Sequence, residues 1–285
     1  QEKKLLKMFR KNLKKKKSKT KEIDLPDRYY LASSTYMETK DEFIFIFSDI
    51  TEIKELERIK RDIVANVSHE LRTPLTAIKG FAETLEEDVD DTGKHYLNII
   101  KRHADRLISI VEDLLVLSEI EEAGGNLVIK DVDMHDVCEN IVSMFDHKLK
   151  DKGLSLSYTI EENFPSIKVD LFKIEQVLIN LVDNSIKYSN EGEIKINIFK
   201  ANSSAIIEVE DQGMGIPEDD QRRIFERFYT VDKSRSRRIS GTGLGLAIVK
   251  HIIKAHSGEI SMISKPRQGT KFLINLPLEV PADSI

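Results

Sequence analysis

Cysteine and tryptophan are almost missing from this sequence of 285 residues, which has one cysteine, Cys138, and no tryptophan. A single thiol excludes a disulfide within the chain and a cysteine-rich zinc cage. The seven histidines form neither an HExxH motif nor another ligand cluster. We therefore expect no disulfide framework and no structural zinc. Cys138 follows Val137 in an apparent helix and is expected to be a small buried residue in a reducing compartment.

Long hydrophobic runs are missing as well. No segment approaches the roughly 18 consecutive apolar residues that a membrane-spanning helix needs, and no signal peptide with an apolar middle region is present. As printed, the chain is expected to be soluble. Its abrupt, basic beginning is what the cytoplasmic portion of a membrane protein would show, with the membrane segment ahead of Gln1.

Charge is divided unevenly along the chain. The net charge is −5, yet the first 21 residues are crowded with lysine. Such a run is most often a solvated arm. It also suits an anionic membrane face, where each cation gains about 1 kcal/mol, whereas nucleic acid is the weakest of the three interpretations. We interpret residues 1–26 as a basic N-terminal arm and expect no nucleic-acid partner.

Residues 27–52 alternate apolar and polar side chains on both sides of Lys40 and Asp41. This alternation predicts a β-hairpin. The closing residues, Phe47 to Glu52, resemble the end of a PAS sensor domain, where the last strand leads directly into a helix. We interpret residues 27–52 as a PAS-like strand remnant.

Residues 53–122 contain two apolar runs with a helical period. Steps of three, four or seven predict two long helices with a narrow apolar seam, joined by the polar segment Glu86 to Gly93. Such a hairpin normally buries its seam against a second copy, so we expect a homodimer through a four-helix-bundle stem. The seam residues are Leu56, Ile63, Val67, Leu71, Leu75, Ile78, Ala82 and Leu85, then Leu97, Ile100, Ala104, Leu107, Val111, Leu114 and Ser118.

The pattern changes after residues 123–130, which we interpret as a linker. From 131 to 279 short strands alternate with helices, which predicts a separate α/β domain, followed by a tail at 280–285. The expected fold class is therefore α+β, with a helical stem followed by an α/β-sandwich domain. The predicted strands are 154–160, 193–199, 205–210, 259–264 and 270–276, and the predicted helices are 134–152, 171–189 and 244–257.

His69 is the first candidate functional residue. It lies two residues after Val67 and two before Leu71, so a 3.6-residue period directs it away from the seam and toward solvent. The segment Ser68-His-Glu-Leu-Arg-Thr-Pro-Leu75 resembles the phosphoacceptor box of the sensor histidine kinases of two-component systems, in their PhoR- and WalK-like class.

The neighbours of His69 suit phosphoryl chemistry. A neutral imidazole can attack phosphorus once a base accepts its other ring proton, and Glu70 is the adjacent carboxylate. Thr73 lies four residues after His69 on the same helical face. The resemblance implies that His69 is phosphorylated, that Glu70 is the base or orienter, and that Thr73 holds a water for dephosphorylating a partner. Pro74 removes one backbone donor and favours a kink below the histidine.

The sequence lacks the GxxxxGK[ST] loop of P-loop NTPases and the lysine-and-HRD set of protein kinases, so another site must bind the phosphoryl donor. Asn180 and Asn184 share a polar helix face, and neutral amides suit a Mg²⁺ ion whose charge triphosphate already balances. Residues 176–189 resemble the family's N-box. The resemblance implies Asn184, together with Asn180, at the metal, Lys187 near phosphate and Tyr188 against adenine.

Glu208-Val-Glu-Asp-Gln-Gly-Met-Gly-Ile-Pro217 follows a predicted strand and resembles the family's G1 box. A buried carboxylate at Asp211 can accept a hydrogen bond from the exocyclic amine of adenine, which guanine lacks at that position. The match therefore implies ATP rather than GTP. The glycines permit close approach of the backbone to a ligand. The implied ATP contacts in this box are Asp211, Gly213, Gly215 and Ile216.

Residues 224–229 resemble the F-box, whose aromatic side chains brace a lid over the nucleotide. The basic, serine-rich stretch 233–240 is interpreted as that lid. The cation that meets the γ-phosphate stays open among Arg227, Lys233, Arg235 and Arg237. The implied contacts are Arg227, Phe228 and Lys233.

Residues 241–249 resemble the G2 box and open a predicted helix, so backbone amides and the positive end of the helix dipole can meet phosphate oxygens. The spacing is GxGxG rather than GxGxxG and no strand directly precedes it, which excludes a Rossmann interpretation. The implied ATP contacts are Gly241, Thr242, Gly243, Leu244, Gly245 and Leu246, together with Thr270 at a later strand entry.

The boxes follow the order of the family over residues 54–278. The resemblance implies a Bergerat-type ATP-binding domain that uses ATP and Mg²⁺ to phosphorylate His69, and transfer to an aspartate of a response-regulator receiver domain. Two alternatives stay open, a Bergerat-fold ATPase and a catalytically inactive dimeric scaffold. The intact His69-Glu70 pair, and Asn180 where such ATPases place a glutamate, argue against them.

Overall fold

The computed structural model describes residues 19–25, 28–39, 42–87, 89–121, 127–231 and 242–278. The chain divides into two compact units, the first ending at Ala65 and the second beginning at Asn66. Within the described ranges, no helix is both long enough and apolar enough to cross a membrane.

The first unit contains an antiparallel sheet of three strands, β1 (Lys19–Leu25), β2 (Arg28–Met37) and β3 (Glu42–Asp49), in that order. The pairing of β2 with β3 confirms the predicted hairpin. Strand β1 was not predicted. It lies in the segment interpreted as a basic arm, and it has few apolar residues that would indicate a strand. The strand-to-helix step is fixed by Asp49, whose Oδ1 accepts from the backbone N and the hydroxyl of Thr51 at 3.0 and 2.6 Å.

Helix α1 (Thr51–Thr84), a 3-10 turn (Leu85–Glu87) and helix α2 (Asp91–Glu121) confirm the two predicted helical runs, with Pro74 inside α1. In the second unit these helices form an antiparallel hairpin. Its register is set by two ion pairs, Lys79 with Asp105 at 2.7 Å and Arg72 with Glu112 at 4.0 Å. Seven residues separate the two pairs along each helix, so the register is the same at both pairs.

The α/β domain completes the second unit and confirms an α+β fold. Its main sheet has the order β5-β7-β8-β10-β9, in which β5 and β7 are parallel and the other neighbours antiparallel, and β4 pairs with β6 separately. The elements are β4 (Ile129–Val132), α3 (Met134–Lys152), β5 (Leu154–Ile160), β6 (Ile167–Asp170), α4 (Leu171–Tyr188), β7 (Gly192–Ala201), β8 (Ser204–Asp211), α5 (Glu218–Gln221), α6 (Gly245–Ala255), β9 (Glu259–Ser264) and β10 (Thr270–Pro277).

Helices α3, α4 and α6 cover the sheet because their apolar residues recur at helical spacing. On α4, Ile174, Leu178 and Leu181 are fully buried, whereas the sheet contributes alternate residues of β8. Helix α3 begins where the Asp133 side chain accepts from the amide of His135 and ends at Gly153, which has a left-handed φ of 67°.

The lower half of α2 belongs to the same core. Leu117 and Ile120 are buried with the sheet and helices of the α/β domain, and Ile110, Leu114 and Val116 pack against that core. The α/β domain is therefore docked on the stem through α2, and α2 and α6 lie side by side.

His256 is buried between α6 and β6. Its Nε2 accepts from the amide of Asp170 at 3.0 Å, and its Nδ1 lies 2.8 Å from the carbonyl of Ile252, to which it donates. These bonds define a neutral imidazole. Burial lowers the pKa of His256 below its ordinary value of 6.5, although Ile252 and Asp170 act in the opposite direction.

We predict that the free energy of unfolding falls as the pH drops below about 6.5, because the unfolded histidine takes up a proton before the folded one does. His256→Gln keeps an acceptor for Asp170 and should flatten this dependence between about pH 7.5 and 5.5. Urea titrations across this range measure the effect. The exposed His103→Gln is the control, and the account is wrong if both variants keep the wild-type dependence.

Candidate functional site

A cavity of about 290 Å³ opens between α4, α6, β8, β10 and the stem helix α2. This volume is near the lower end of the roughly 300–1,000 Å³ typical of small-molecule sites. The cavity brings together residues that the sequence placed in three separate boxes. The predicted residues that line it are Asn180, Asn184, Lys187, Tyr188, Asp211, Gly215, Ile216, Thr242, Gly243, Gly245, Leu246 and Thr270.

Other predicted residues lie elsewhere. Gly213 and Leu244 are buried behind the wall, and Arg227 and Phe228 do not line the cavity. Lys233 and Gly241 lie outside the described residues. The predicted phosphoacceptor group, His69, Glu70 and Thr73, is on the stem and contributes no side chain to the cavity wall.

Asp211 is the buried carboxylate at the base of the cavity, with 6% of its surface exposed. Its Oδ1 accepts from the amides of Gly213 and Thr270 at 2.9 and 3.2 Å, and its Oδ2 accepts from the hydroxyl of Ser185 at 3.2 Å. Burial raises the pKa of Asp211, and these donors oppose that rise by favouring the carboxylate. The fixed carboxylate is suited to accept one more hydrogen bond from a ligand.

Two glycines let the backbone close around Asp211. Gly215 has φ +66°, and a Cβ there would lie 2.0 Å from the carbonyl oxygen of Lys265. Gly269 has φ +83°, and a Cβ there would lie 1.9 Å from the carbonyl oxygen of Asp211. No other residue fits either position without moving the backbone.

The polar face of α4 carries Asn180, Asn184 and Lys187. Asn180 donates from Nδ2 to the carbonyl of Gln176 at 3.0 Å, so its side chain is held along its own helix. Lys187 pairs with Asp183 at 2.5 Å. Burial alone would raise the pKa of Asp183, but Lys187 and Lys148 hold it below its ordinary value.

The start of α6 is held by three contacts. The Thr242 hydroxyl accepts from the amide of Leu244 at 3.2 Å, and the carbonyl of Gly243 accepts from the amide of Phe228 at 2.9 Å. Gly245 faces Asn180, since a Cβ at Gly245 would lie 2.7 Å from Asn180 Oδ1. The start of α6 therefore lies close to the polar side of α4.

Tyr229 lines the cavity beside the start of α6, and two residues outside the cavity wall hold its side chain in place. Its hydroxyl donates to Asp220, and the Arg223 guanidinium lies 4.3 Å from the ring centroid. The F-box segment thus contributes Tyr229 rather than Phe228, which is 57% exposed and has a positive φ.

The stem supplies one wall of the cavity through Ser109 and Asp113. Asp113 Oδ2 accepts from the Thr242 hydroxyl at 2.7 Å, joining α2 to the start of α6. Burial raises the pKa of Asp113, while Thr242 and the charge of Lys187 lower it. Sequence reasoning missed both stem residues, because a contact between positions 129 apart leaves no local pattern.

Other wall residues were also missed, although most lie inside the segments that carried the resemblance. The resemblance carried by the residues next to them in the sequence was the signal that could have identified them. They are Asp183, Met214, Ile224, Tyr229, Thr230, Val231 and Phe272.

His69 is exposed on α1 directly after Ser68, which is buried at 3%. His69 is exposed as the helical period predicts, although Val67 and Leu71 of the seam are exposed in the single chain as well. The Thr73 hydroxyl lies 3.5 Å from the carbonyl of His69 and donates to it. The register of the hairpin places Asp113 level with Leu71, two residues from His69, which corresponds to ~3 Å along the stem axis. The cavity therefore opens at the height of the histidine.

The wall chemistry fits a magnesium nucleotide. The side-chain amides of α4 can bind a Mg²⁺ ion together with phosphates. The free backbone amides at the start of α6 can donate to phosphate oxygens, and the Asp211 carboxylate can accept a hydrogen bond from an amine. No cluster of three or more His, Cys, Asp or Glu side chains suited to a metal occurs in the described part of the chain.

Comparison with known protein families divides the chain into the same two parts, the helical stem and the α/β domain. Residues 59–123 match the family model described as "His Kinase A (phospho-acceptor) domain". Residues 169–280 match the one described as "Histidine kinase-, DNA gyrase B-, and HSP90-like ATPase".

Similar proteins carry matching names. Sensor protein kinase WalK of Staphylococcus haemolyticus is 39% identical over 249 residues, which is 85% of this chain and 40% of the relative. The Acinetobacter baumannii histidine kinase AdeS is 30% identical, with a TM-score of 0.55 over 74% of this chain and 98% of that one.

Two further structures contain partners or ligands. ShkA in complex with AMPPNP is 26% identical, with a TM-score of 0.64 over 79% of this chain and 47% of that one. ThkA in complex with response regulator protein TrrA is 26% identical, with a TM-score of 0.57 over 96% of this chain and 83% of that one. The chain belongs to the sensor histidine kinases. It spans about 40% of the length of its WalK relative.

We predict that Gly215→Ala destabilises the fold by about 2–5 kcal/mol, because it combines a left-handed φ with a backbone clash. Gly153→Ala is the matched control, since Gly153 has φ +67° and nothing within 4 Å of an added Cβ. It should lose about 1–2 kcal/mol. Urea unfolding compares the two, and equal losses would mean that the approach of Lys265 to Gly215 is not tight.

Proposed function

We propose that this chain is the catalytic core of a sensor histidine kinase that binds MgATP in the described cavity and phosphorylates His69. The carrying observation is that this cavity, lined by both the α/β domain and the stem, opens at the height of an exposed histidine. Membrane attachment stays an expectation that rests on the lysine-rich arm.

ATP would enter with adenine toward Asp211 and phosphates toward the start of α6. The Asp211 carboxylate accepts from the exocyclic amine of adenine, with Tyr188 and Ile216 beside the ring. The amides around Gly243 and Gly245 meet the phosphates. Lys187, which is already held by Asp183, is the ammonium of the described wall that would meet them.

The transfer step is an in-line displacement at the γ-phosphorus. A ring nitrogen of His69 forms the new P–N bond, the bond from phosphorus to the bridging β–γ oxygen breaks, and ADP leaves with that electron pair. The other ring nitrogen gives its proton to Glu70. When bound, Mg²⁺ held by Asn184 and Asn180 would neutralise developing phosphate charge.

The histidine must be close to the γ-phosphate during this step, yet its side chain does not line the cavity. The α/β domain must therefore move along or around the stem before transfer. The polar bond between Asp113 and Thr242 is one contact that this movement breaks.

The phosphoryl acceptor we propose is an aspartate of a response-regulator receiver domain. The likeness to ThkA, solved with a response regulator, supports this partner. His69, Glu70 and Thr73 are exposed, so a second protein can reach them. The Thr73 hydroxyl is one turn from His69, where it can orient a water during reversal.

The stem is proposed to dimerise. Apolar side chains on the stem of the second unit are exposed in the single chain, with Ile78 at 47% and Phe81 at 71%. A surface of this kind is typical of an association face. Further exposed members are Val67, Leu71, Leu85, Tyr96, Ile100 and Leu107.

The kinase proposal predicts that γ-labelled ATP with Mg²⁺ transfers its label to the protein. The label should be acid-labile and base-stable, and His69→Gln should abolish it. His103→Gln, also on an exposed stem position, should keep it. Label that persists in His69→Gln contradicts the site, and ATP hydrolysis without label favours the ATPase alternative. Nucleotide binding without label transfer and without hydrolysis favours the catalytically inactive dimeric scaffold.

The dimer proposal predicts a two-chain mass in sedimentation equilibrium at micromolar concentration. Ile78→Glu should shift the population toward monomer, because it places a charge in the apolar face. Lys94→Glu on an exposed polar position should not. A wild-type protein that is monomeric throughout would refute the stem interface.

A further inference from the structure

Asp113 is a stem residue, yet it reaches the part of the cavity that the phosphates would occupy. It lies on α2 one turn from Ser109, so both side chains share one helix face. Its carboxylate accepts from Thr242, the residue that precedes the glycines at the start of α6. The charge of Lys187 also acts on Asp113. Asp211, by contrast, is held by β10 and Gly213 at the proposed adenine end.

The described cavity wall carries more negative than positive side chains, which is unfavourable for binding a triphosphate. Its ionisable side chains include three carboxylates, Asp113, Asp183 and Asp211, and one ammonium, Lys187. Lys187 is already paired with Asp183 at 2.5 Å. Lys148 pairs with Asp183 as well, from outside the cavity wall. Lys187 is the ammonium of the described wall whose charge acts on Asp113, and the basic segment 233–240 lies outside the described residues.

From this arrangement we propose that Asp113 is a specificity-determining residue that makes the stem-docked site prefer a nucleoside diphosphate over a triphosphate. The inference rests on the proposed nucleotide function of the cavity. A third phosphate adds negative charge next to a partly buried carboxylate, where screening by water is weak. A diphosphate places its charge farther from α2.

The same contact links nucleotide identity to the position of the domain. Thr242 uses one hydroxyl both to accept from the amide of Leu244 and to donate to Asp113. A triphosphate that repels Asp113 therefore weakens the bond that ties the phosphate-binding start of α6 to the stem. Loss of this tie favours release of the α/β domain, which transfer to His69 requires, and ADP formed by transfer favours docking again.

The test measures binding of AMPPNP and ADP, each with Mg²⁺, to the full chain by isothermal titration calorimetry. Asp113→Asn keeps an acceptor for Thr242 and removes the charge. It should bind AMPPNP about five- to tenfold more tightly than the wild type, with ADP affinity changed less than about twofold. Glu139→Gln removes the same charge from an exposed position on α3 that does not line the cavity, and it should leave both affinities within about twofold.

Hydrogen exchange supplies a second readout. In the wild type, saturating AMPPNP should increase deuterium uptake in the 110–120 segment of α2 more than ADP does, and Asp113→Asn should reduce that difference. Unchanged or weaker AMPPNP binding by Asp113→Asn, or an equal gain in Glu139→Gln, would overturn the inference while leaving the kinase proposal intact. Failure of the wild type to bind either nucleotide would overturn both.

Discussion

A buried carboxylate needs partners, and the constraint that organises this site is the need to satisfy Asp211. An ionised group with 6% of its surface exposed would be very costly alone. Its partners come from three places, the G1 loop, the first residue of β10 and the last turn of α4. The glycines follow from this arrangement, because the loop must approach closely enough to present its amide.

The second organising feature is the docking of α2 on the α/β domain. Leu117 and Ile120 complete a core that the domain's own helices and sheet do not close. This packing brings one side of the stem to the cavity and places Asp113 against Thr242. The hairpin register then places His69 at the height of the cavity along the stem, although its side chain does not line the cavity.

Much of this architecture could be predicted from the sequence, because the signals are local. The 3.6-residue period marked α1 and α2, and Asp133 and Gly153 lie at the ends of α3. The glycines of the G1 box lie on the loop that follows β8. Strand β1 was missed because Lys19, Lys21 and their neighbours lack an apolar alternation.

Contacts between segments that are distant in the sequence could not be predicted from local sequence patterns. The family resemblance implies that Lys187 is near phosphate, but the sequence does not show that Asp183 holds its ammonium, since many charged pairs could form on a helix surface. Nor does it show which face of α2 meets α6, because that depends on how Leu117 packs. The roles assigned to His69, Glu70, Thr73 and the cavity residues stay predictions.

The central claim is that Asp211 and its donors make an adenine-specific site. Calorimetric titration of the full chain with AMPPNP and with GMPPNP, under identical Mg²⁺, tests it most directly. The account predicts that GMPPNP binds at least about tenfold more weakly, because guanine presents an oxygen where Asp211 needs a donor. Equal affinities for the two nucleotides would contradict it.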